Sequence, residues 1–188
     1  MSIREEKQAL RQRIRKAMEL LPPDYFHQAG EEMGRRIRET EAYLQATTIF
    51  CFVSHGKEPD TLPLLEQILL DGKRLCVPLC KAPGIMEARQ ITSLSQLSPG
   101  AYGIPEPPAD APLLPPSAIH LALIPCLAAT KDGKRLGKGG GYYDRFLSQY
   151  TGTAFLLCPA LLLQEYIPME AHDILLPDVV TEGEGNFV

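Results

Sequence analysis

Four short apolar runs constrain the fold of this 188-residue chain more than any other feature. Each run is rich in β-branched, aromatic or leucine side chains and is short, which favours a strand buried on both faces of a sheet. The predicted strands are TTIFCFVS at 47–54, RLCVPL at 74–79, HLALIP at 120–125 and TAFLLC at 153–158. Pro78 lacks a ladder N–H group, so it predicts a break in the second strand.

Amphipathic segments separate these runs. Helical spacing of apolar residues predicts helices at 3–21, 24–39, 61–70 and 142–149, the first of them ended by Pro22 and Pro23. Residues 179–181 are consistent with a final short strand. Strands that alternate with helices predict an α/β fold with a mostly parallel, Rossmann-like sheet.

A Pro- and Gly-rich stretch at 81–118 interrupts this alternation. Such a composition is typical of a disordered linker. Apolar residues recur within it, including Ile85, Met86, Tyr102 and Ile104, and they favour an ordered loop or edge region instead. A short β-hairpin around 85–91 fits their spacing.

The chain length predicts a single domain over residues 1–188. A formal net charge of −4 argues against general nucleic-acid binding, which requires a basic surface. The N-terminus is highly charged and no apolar run could span a bilayer, so we expect a cytoplasmic protein without a membrane partner. The five cysteines form no CxxC pair, which favours buried reduced thiols over a catalytic thiol.

The clearest indication of function is RLGKGGGYYD at residues 135–144, where four of the five positions 137–141 are glycine. Glycines let the backbone approach a ligand, and successive N–H groups at a helix start can bind an anion. Lys134, Arg135 and Lys138 add positive charge. Because the segment follows a predicted buried strand, it lies where α/β sheets bind ligands.

Two common phosphate-binding patterns are absent from this segment. No Gly-Lys-Ser/Thr occurs, so it is not a Walker A loop, and no acidic residue follows at the spacing of a dinucleotide site. A solvated surface loop is the alternative interpretation.

Two aspartates suggest a metal. Asp144 lies beside the predicted anion site, where a carboxylate would repel phosphate unless a cation such as Mg²⁺ lay between them. Asp173 is a second candidate ligand, with capping of a turn as an equally good alternative.

Two further features flank the predicted strands. Lys7, Arg11 and Arg15 recur every four residues on one face of the first helix, a pattern more often typical of a solvated face. Glu58 lies in a strand-to-helix loop, a common place for ligand contacts. Asp60 or Thr61 is expected to cap the helix that follows that loop.

Taken in order along the chain, these motifs resemble the 5-formyltetrahydrofolate cyclo-ligases, also called methenyltetrahydrofolate synthetases. The matching segments are KxxLR at 7–11, Glu58 with Asp60 and Thr61, DGKRLCVP at 71–78, YGIPEP at 102–107, RLGxGxGYYDR at 135–145 and HDI…D..VTE at 172–182. Ala129 and Thr130 stand where the family usually has Phe-Asp, with Asp132 nearby.

This resemblance implies a three-layer α/β/α fold and an ATP- and Mg²⁺-dependent ligase that converts 5-formyltetrahydrofolate to 5,10-methenyltetrahydrofolate, with release of ADP and phosphate. It implies ATP binding by Lys7, Arg11, Arg135, Leu136, Gly137, Lys138, Gly139, Gly140, Gly141, Tyr142 and Tyr143. Folate binding is implied for Val53, Glu58, Met86, Tyr102, Gly140 and Tyr142. Catalytic roles are expected for Arg135, Lys138 and Tyr142, and Mg²⁺ ligation for Asp144 and Asp173.

Two alternatives remain at this point. One is a non-catalytic folate- or nucleotide-binding protein on the same scaffold. The other is a sugar-phosphate isomerase or acyl-CoA-handling enzyme, against which the basic N-terminal helix and the aspartate pair argue. A monomer with ATP and 5-formyltetrahydrofolate as its small-molecule partners is the expected form.

Overall fold

The structure is a computed structural model that describes residues 2–183. The helices in that part of the chain are α1 Ile3–Glu19, α2 Tyr25–Arg38, α3 Glu41–Gln45, α4 Leu62–Leu70 and α5 Tyr142–Leu147. The strands are β1 Thr48–Cys51, β2 Arg74–Ala82, β3 Ile85–Ile91, β4 Ser98–Pro99, β5 Pro105–Glu106, β6 Leu113–Leu114, β7 Leu121–Pro125, β8 Ala128–Ala129, β9 Arg135–Leu136, β10 Thr153–Leu157 and β11 Val179–Val180. The predicted strands and helices are confirmed, with ends that differ by a few residues.

Seven strands of the described chain form one sheet in the order β11-β10-β7-β1-β2-β3-β6. The pairs from β11 to β2 are parallel, whereas β3 and β6 pair in antiparallel fashion at one edge. From β1 the chain continues first to β2 on one side and later to β7 on the other. The strand order therefore reverses between β1 and β7, and ligands of open α/β sheets bind beyond the carboxyl ends of strands at such a point.

Helices cover both faces of the sheet, which confirms the three-layer α/β/α fold. One core cluster joins α1 and α5 to the sheet through residues such as Ile14, Phe50 and Phe146. The other joins α2, α3 and α4 to the opposite face through residues such as Met33 and Leu65. Alternate side chains of β1 enter the two clusters, since successive residues of a strand point to opposite faces.

The start of α1 is set by local sequence. Ser2 and Glu5 form a capping box, in which each side chain accepts a hydrogen bond from the other's backbone N–H group. Leu10, Ile14 and Met18 then follow one another on the buried face. Lys7 is also buried, so the helix brings a cation toward the interior at its amino-terminal end.

Strand β2 continues through Pro78, so the predicted break is wrong. The parallel pairing with β1 ends at Phe50 and Cys76, before Pro78 is reached. Beyond that point β2 pairs only with β3, where Pro78 lies opposite Ala88. The strand therefore has a free side at Pro78, and the missing N–H group costs no ladder hydrogen bond to β1.

The Pro-rich stretch is ordered, and the disordered-linker interpretation is wrong. Residues 85–91, where a short hairpin was predicted, form a single strand, β3, whose hairpin partner is β2, and β4 pairs with β5. The Glu106 carboxylate ties this region to the sheet by accepting from the N–H of Cys80 at 3.1 Å and from that of Ala101 at 3.3 Å. Prolines here end and separate short strands while side-chain hydrogen bonds hold the loop.

The predicted burial of the cysteines is confirmed for four of the five, with Cys80 half-buried. All five thiols are free, and Cys51, Cys76, Cys126 and Cys158 are buried.

Among residues 2–183, no helix has both the length and the apolar character needed to cross a bilayer.

Candidate active site

Two loops meet where the strand order reverses. The loop after β1 carries Glu58, and the chain after β7 leads to the glycine-rich segment 137–141, called the glycine loop below. Lys138 Nζ in the glycine loop lies 2.5 Å from Glu58 Oε1, across 80 residues of sequence. Two segments that the sequence singled out separately therefore form one site.

The loop after β1 closes on itself before α4 begins. The Thr61 hydroxyl donates to the Phe52 carbonyl at 2.9 Å and accepts from the Ser54 N–H at 2.9 Å. Thr61 occupies the N-cap position of α4 without a capping hydrogen bond from its side chain, while Asp60 Oδ1 accepts from the N–H of Leu62 at 3.0 Å. These hydrogen bonds hold the backbone on either side of Glu58.

A short hairpin of β8 and β9 delivers the chain into the glycine loop. Its turn depends on Thr130, whose hydroxyl accepts from the N–H of Lys134 at 3.0 Å and also contacts the Asp132 carboxylate. Gly133 has φ +89°, and a Cβ there would lie 2.0 Å from the carbonyl oxygen of Leu176. Thr130, one of the two residues noted above as departures from the resemblance, thus has a structural role in this turn.

The glycine loop needs glycine at two positions for conformational reasons. Gly139 has φ +103° and Gly141 has φ +71°, values that side-chain-bearing residues rarely adopt. Gly141 is the residue that precedes α5. Lys138, Gly139 and Gly140 are exposed, so the backbone of the loop is open to a ligand.

Arg135 is a buried cation at the base of the loop. Its Nη2 donates to Asp144 Oδ2 at 2.9 Å, its Nη1 donates to the Pro125 carbonyl at 3.3 Å, and its guanidinium lies 5.8 Å from the centre of the Tyr143 ring. Its Nε is buried without a hydrogen-bond partner among the described residues. A buried donor without a hydrogen-bond partner raises the free energy of the folded protein, and a bound ligand that accepts from Arg135 Nε would remove this cost.

Helix α1 contributes a second cation to the glycine loop. Arg11 Nε donates to the Gly137 carbonyl at 2.8 Å, and the Arg11 guanidinium would lie 3.5 Å from a Cβ at Gly139. Burial, followed by the nearby charge of Arg15, lowers the pKa of Arg11 below its usual value. Arg15 itself is exposed, so the solvated-face interpretation fits Arg15 but is wrong for Lys7 and Arg11.

Lys7 is held by two carboxylates from the chain near the C-terminus. Its Nζ lies 3.0 Å from Glu170 Oε2 and also contacts Asp173 Oδ2, and the Lys7 side chain is only 7% exposed. Glu170 was not predicted from the sequence. The sequence signal that could have identified it is its spacing, three residues before Asp173. In the structure, the Asp173 N–H donates to the Glu170 carbonyl at 3.0 Å and closes a turn between the two residues.

Asp173 has the turn-capping role that was one of its two predicted roles, and its carboxylate also faces a cation. Its Oδ2 accepts from the Glu170 N–H at 2.6 Å, which is the capping of a turn, and it also faces Lys7. Burial raises the pKa of Asp173, but the hydrogen bonds from Lys7 and from the Glu170 backbone outweigh that effect, so the pKa lies below its usual value. The side chain is therefore ionised at neutral pH.

The donors present are chemically suited to Mg²⁺. Hard cations of this kind prefer carboxylate oxygens together with phosphate oxygens. Asp144 uses Oδ2 for Arg135, while its Oδ1 makes no hydrogen bond with any residue in the described range. Ligand atoms of Glu170, His172 and Asp173 lie within 4.8 Å of one another. Each predicted metal ligand is also paired with a cation, Asp144 with Arg135 and Asp173 with Lys7.

Two tyrosines, Tyr102 and Tyr142, lie next to each other beside the glycine loop. The Tyr102 hydroxyl lies 3.3 Å from the Tyr142 hydroxyl, and Tyr102 itself is 74% exposed. Tyr102 has φ +59°, the left-handed conformation that disfavours side-chain-bearing residues. The adjacent Gly103 would place a Cβ 3.6 Å from His55, so this turn also approaches the loop that carries Glu58.

The remaining predicted folate contacts differ in accessibility. Met86 is half-buried in β3, opposite Cys80 of β2. Val53 is 2% exposed and packs in the second core cluster, so its side chain does not face the site and only its backbone is available. Leu136 is likewise buried, with its carbonyl accepting from the N–H of Leu127 at 2.8 Å.

A cleft of about 550 Å³ adjoins Glu58 and was not foreseen from the sequence. It lies between the end of α1, the first turn of α2 and the loop after β1. Met18, Pro22 and Phe26 form part of its apolar wall, and the Lys57–Glu19 ion pair at 2.7 Å lies on its exposed side.

The thiol beside the tyrosines is poorly suited to act as a nucleophile. Cys80 is the half-buried thiol nearest the tyrosines, and burial followed by the proximity of Glu106 raises its pKa to about 11. What the site does offer is a backbone loop that carries Lys138 and is contacted by Arg11 and Arg135, with Lys7 on the same helix as Arg11 and carboxylates beside these cations. Such a set positions and neutralises phosphate groups, which is most of what phosphoryl transfer requires of a protein.

Known proteins resemble this chain over nearly its whole length. The model of the 5-formyltetrahydrofolate cyclo-ligase family matches residues 3–182. The 5-formyltetrahydrofolate cyclo-ligase of Escherichia coli K12 is 32% identical over 177 residues, which cover 91% of this chain and 97% of that protein. The enzyme of that name from Mycolicibacterium smegmatis is 34% identical over 155 residues, which cover 76% of this chain and 77% of that one.

Solved structures show the same fold. The NMR structure of 5,10-methenyltetrahydrofolate synthetase from Aquifex aeolicus has a TM-score of 0.84 at 25% identity, with 95% of this chain and 90% of that chain covered. A second structure, from Mycoplasma pneumoniae, has a TM-score of 0.74 at 18% identity and supports the fold alone.

Proposed function

The chain belongs to the 5-formyltetrahydrofolate cyclo-ligase family, and we propose that it converts 5-formyltetrahydrofolate and ATP to 5,10-methenyltetrahydrofolate, ADP and phosphate. The observation that carries this proposal is the convergence of Arg11, Arg135 and Lys138 on one open glycine loop. In a chain of net charge −4, this local concentration of cations favours a polyanionic ligand such as a triphosphate.

The formyl oxygen is a poor leaving group, and its phosphorylation converts it to phosphate, which leaves readily. The formyl oxygen of 5-formyltetrahydrofolate attacks the γ-phosphorus, the bond from that phosphorus to the ADP oxygen breaks, and the formyl carbon becomes an electrophilic, phosphorylated iminium carbon. The neighbouring folate amine then attacks this carbon and loses its proton. The carbon–oxygen bond breaks, phosphate leaves, and the five-membered ring of the methenyl product remains.

The side chains of this protein contribute positioning and charge. Arg11 and Arg135 face the phosphates, and the exposed N–H groups of residues 138–140 bind their oxygens. Lys7, held by Glu170 and Asp173, adds charge at the amino-terminal end of α1. Mg²⁺, which we propose is held by Asp144 and Asp173, supplies neutralisation of phosphate charge when it is bound.

The folate side of the site is proposed to lie between Glu58 and the tyrosines. The Glu58 carboxylate is 9% exposed and is suited to accept hydrogen bonds from the N–H groups of a pterin ring. Tyr102 and Met86 offer apolar surface for that ring. Tyr142 is close enough to both Tyr102 and the glycine loop to contact the reacting groups.

Turnover by purified protein tests the proposal. We expect methenyltetrahydrofolate absorbance and ADP to appear together and in equal amounts, and only when 5-formyltetrahydrofolate, ATP and Mg²⁺ are all present. ADP release without folate would indicate a different acceptor. Binding of both ligands with no ADP release would instead support a non-catalytic binding protein.

We also propose that the protein acts as a cytoplasmic monomer. Sedimentation of the active protein at assay concentration tests the monomer. A dimer as the active species would contradict it.

A further inference from the structure

The contact between Lys138 and Glu58 joins two parts of the site that serve different ligands. Lys138 belongs to the glycine loop, which is proposed to hold ATP, and Glu58 is proposed to hold folate. Their side chains meet at 2.5 Å. Binding at either part therefore has a direct physical route to the other.

Both carboxylate oxygens of Glu58 are already engaged. Oε1 accepts from Lys138 Nζ, and Oε2 accepts from the backbone N–H of His55 at 2.8 Å. The His55 N–H is part of a loop closed by hydrogen bonds between Ser54 and Thr61, so it is the less mobile donor. A folate N–H group that binds Glu58 strongly must therefore compete with Lys138.

Lys138 is free to change partner. Its side chain is 52% exposed, and it is flanked by Gly137 and by Gly139 at φ +103°. Four rotatable bonds let its ammonium group move between nearby anions. The side chain of Glu58, at 9% exposure, lacks comparable access to water.

No other cation in the described part of the chain pairs with Glu58. Lys57, the neighbour of Glu58 in sequence, is paired with Glu19 at 2.7 Å. Arg135 is engaged by Asp144, and Arg11 by the carbonyl of Gly137. When Lys138 leaves, Glu58 keeps the hydrogen bond from the His55 N–H at Oε2, but Oε1 needs a new donor, since a buried charge without its partner is costly in free energy.

We propose that Lys138 moves from Glu58 to the nucleotide phosphates, and that this exchange makes ATP and folate bind with positive cooperativity. The proposal rests on the function proposed above. Phosphate withdraws the ammonium group from Glu58 and exposes the carboxylate to folate. By thermodynamic reciprocity, folate on Glu58 releases Lys138 and raises the affinity for the nucleotide by the same factor.

The experiment measures this factor directly. The dissociation constant of 5-formyltetrahydrofolate is determined by calorimetry without nucleotide and with a saturating non-hydrolysable ATP analogue plus Mg²⁺. In the unchanged protein we expect the analogue to tighten folate binding by about 5- to 150-fold, the usual range for coupled sites. In Lys138→Met, folate should bind more tightly without nucleotide than it does to the unchanged protein, and the coupling factor should fall at least about fivefold.

Two further variants separate the exchange from other effects. Lys131→Met removes the same charge from an exposed position that does not contact Glu58, and it should retain the coupling factor. Glu58→Gln removes the charge that holds Lys138 and should also abolish coupling. The double variant should then lose no more coupling than either single variant, because both act on one contact.

The possible results are distinct. Absence of coupling in the unchanged protein, or full coupling in Lys138→Met, would overturn the exchange without refuting the proposed function. Loss of coupling in Lys131→Met as well would also overturn it, since net charge would then be the cause. Failure of the unchanged protein to turn over 5-formyltetrahydrofolate would instead refute the proposed function.

Discussion

Arg11 Nε donates a hydrogen bond of 2.8 Å to the carbonyl oxygen of Gly137, and so joins the first helix to the glycine loop across 126 residues of sequence. This contact places a guanidinium beside the exposed backbone of Gly139. The N-terminal helix is therefore part of the proposed phosphate site and not only a cover for the sheet.

Replacement of Arg11 tests that assignment. Arg11→Ala should raise the KM for ATP by about 10-fold or more, because a hydrogen bond to a charged group contributes about 1.5–3 kcal/mol. The KM for 5-formyltetrahydrofolate should change by less than about twofold. Arg15→Ala, one helical turn later and exposed, is the matched control. Equal effects on both substrates would contradict a phosphate contact.

Gly141 gives a test of the loop conformation. Gly141→Ala places a side chain at φ +71° and a Cβ 2.8 Å from Arg145 Nη1. We expect a loss of about 1–2 kcal/mol in unfolding free energy and a large loss of activity. Gly72→Ala has φ +72° but no atom within 4 Å of the added Cβ, so it should lose similar stability and stay active. If both variants remain equally active, the loop conformation does not matter for function.

Glu170 is expected to position Lys7. Glu170→Gln weakens the hold on the Lys7 ammonium group, so the KM for ATP should rise by about 10-fold while that for folate stays nearly constant. Glu170→Asp should restore part of the effect. The exposed Glu165 serves as the control through Glu165→Gln. A uniform loss of kcat with unchanged KM values would argue against this role.

We expect the Mg²⁺ dependence of activity to require Asp144. Asp144→Asn should lower kcat/KM by at least about 10²-fold, the scale seen when one electrostatic contact to the reacting groups is removed. It should also cost about 1–3 kcal/mol of stability, because Arg135 loses its charged partner. Magnesium titrations of activity and urea unfolding measure the two effects, with the exposed Asp110→Asn as control. An active variant with unchanged Mg²⁺ dependence would exclude Asp144 as a ligand.

The Lys7–Asp173 pair predicts a pH-dependent contribution to stability. The pKa of Asp173 is lower in the folded protein than its ordinary value of 3.8, so the folded state favours the ionised form. The contribution is present above pH 3.8 and is lost as pH falls through the folded-state pKa. The difference in unfolding free energy between the unchanged protein and Asp173→Asn should be about 1–3 kcal/mol near pH 7 and should shrink below about pH 4. A difference that stays constant down to pH 3 would show that the pair does not titrate as proposed.

Local sequence was sufficient for most of the fold. The strands β1, β2, β7 and β10 follow from short apolar runs, because such runs are stable only when both faces of a strand are covered. The alternation with helices then implies a parallel sheet and its layers. Pro78 was misjudged, since its effect depends on where the pairing of β2 with β1 ends, which is not a local property.

The candidate site was only partly predictable. The glycine loop stands out in the sequence, because glycine at positions such as Gly139 and Gly141 reflects backbone conformation and close approach. Asp144 could be connected with it through mere proximity in sequence. Glu170 was not singled out, and the burial of Lys7 could not be foreseen, since a helix with cations every four residues is usually solvated on that face.

The four central strands, the amphipathic helices between them and the position of the glycine loop follow from the sequence alone, because those properties depend on residues close together in the chain. The partners of the charged side chains depend on the tertiary structure: Lys7 contacts Glu170 and Asp173, Arg11 contacts the Gly137 carbonyl, and Lys138 contacts Glu58. These partners are brought together by the reversal of strand order between β1 and β7 and by the packing of α1 across the sheet. An ion pair has no sequence signature at such separations, since its energy depends on distance and burial in the folded chain.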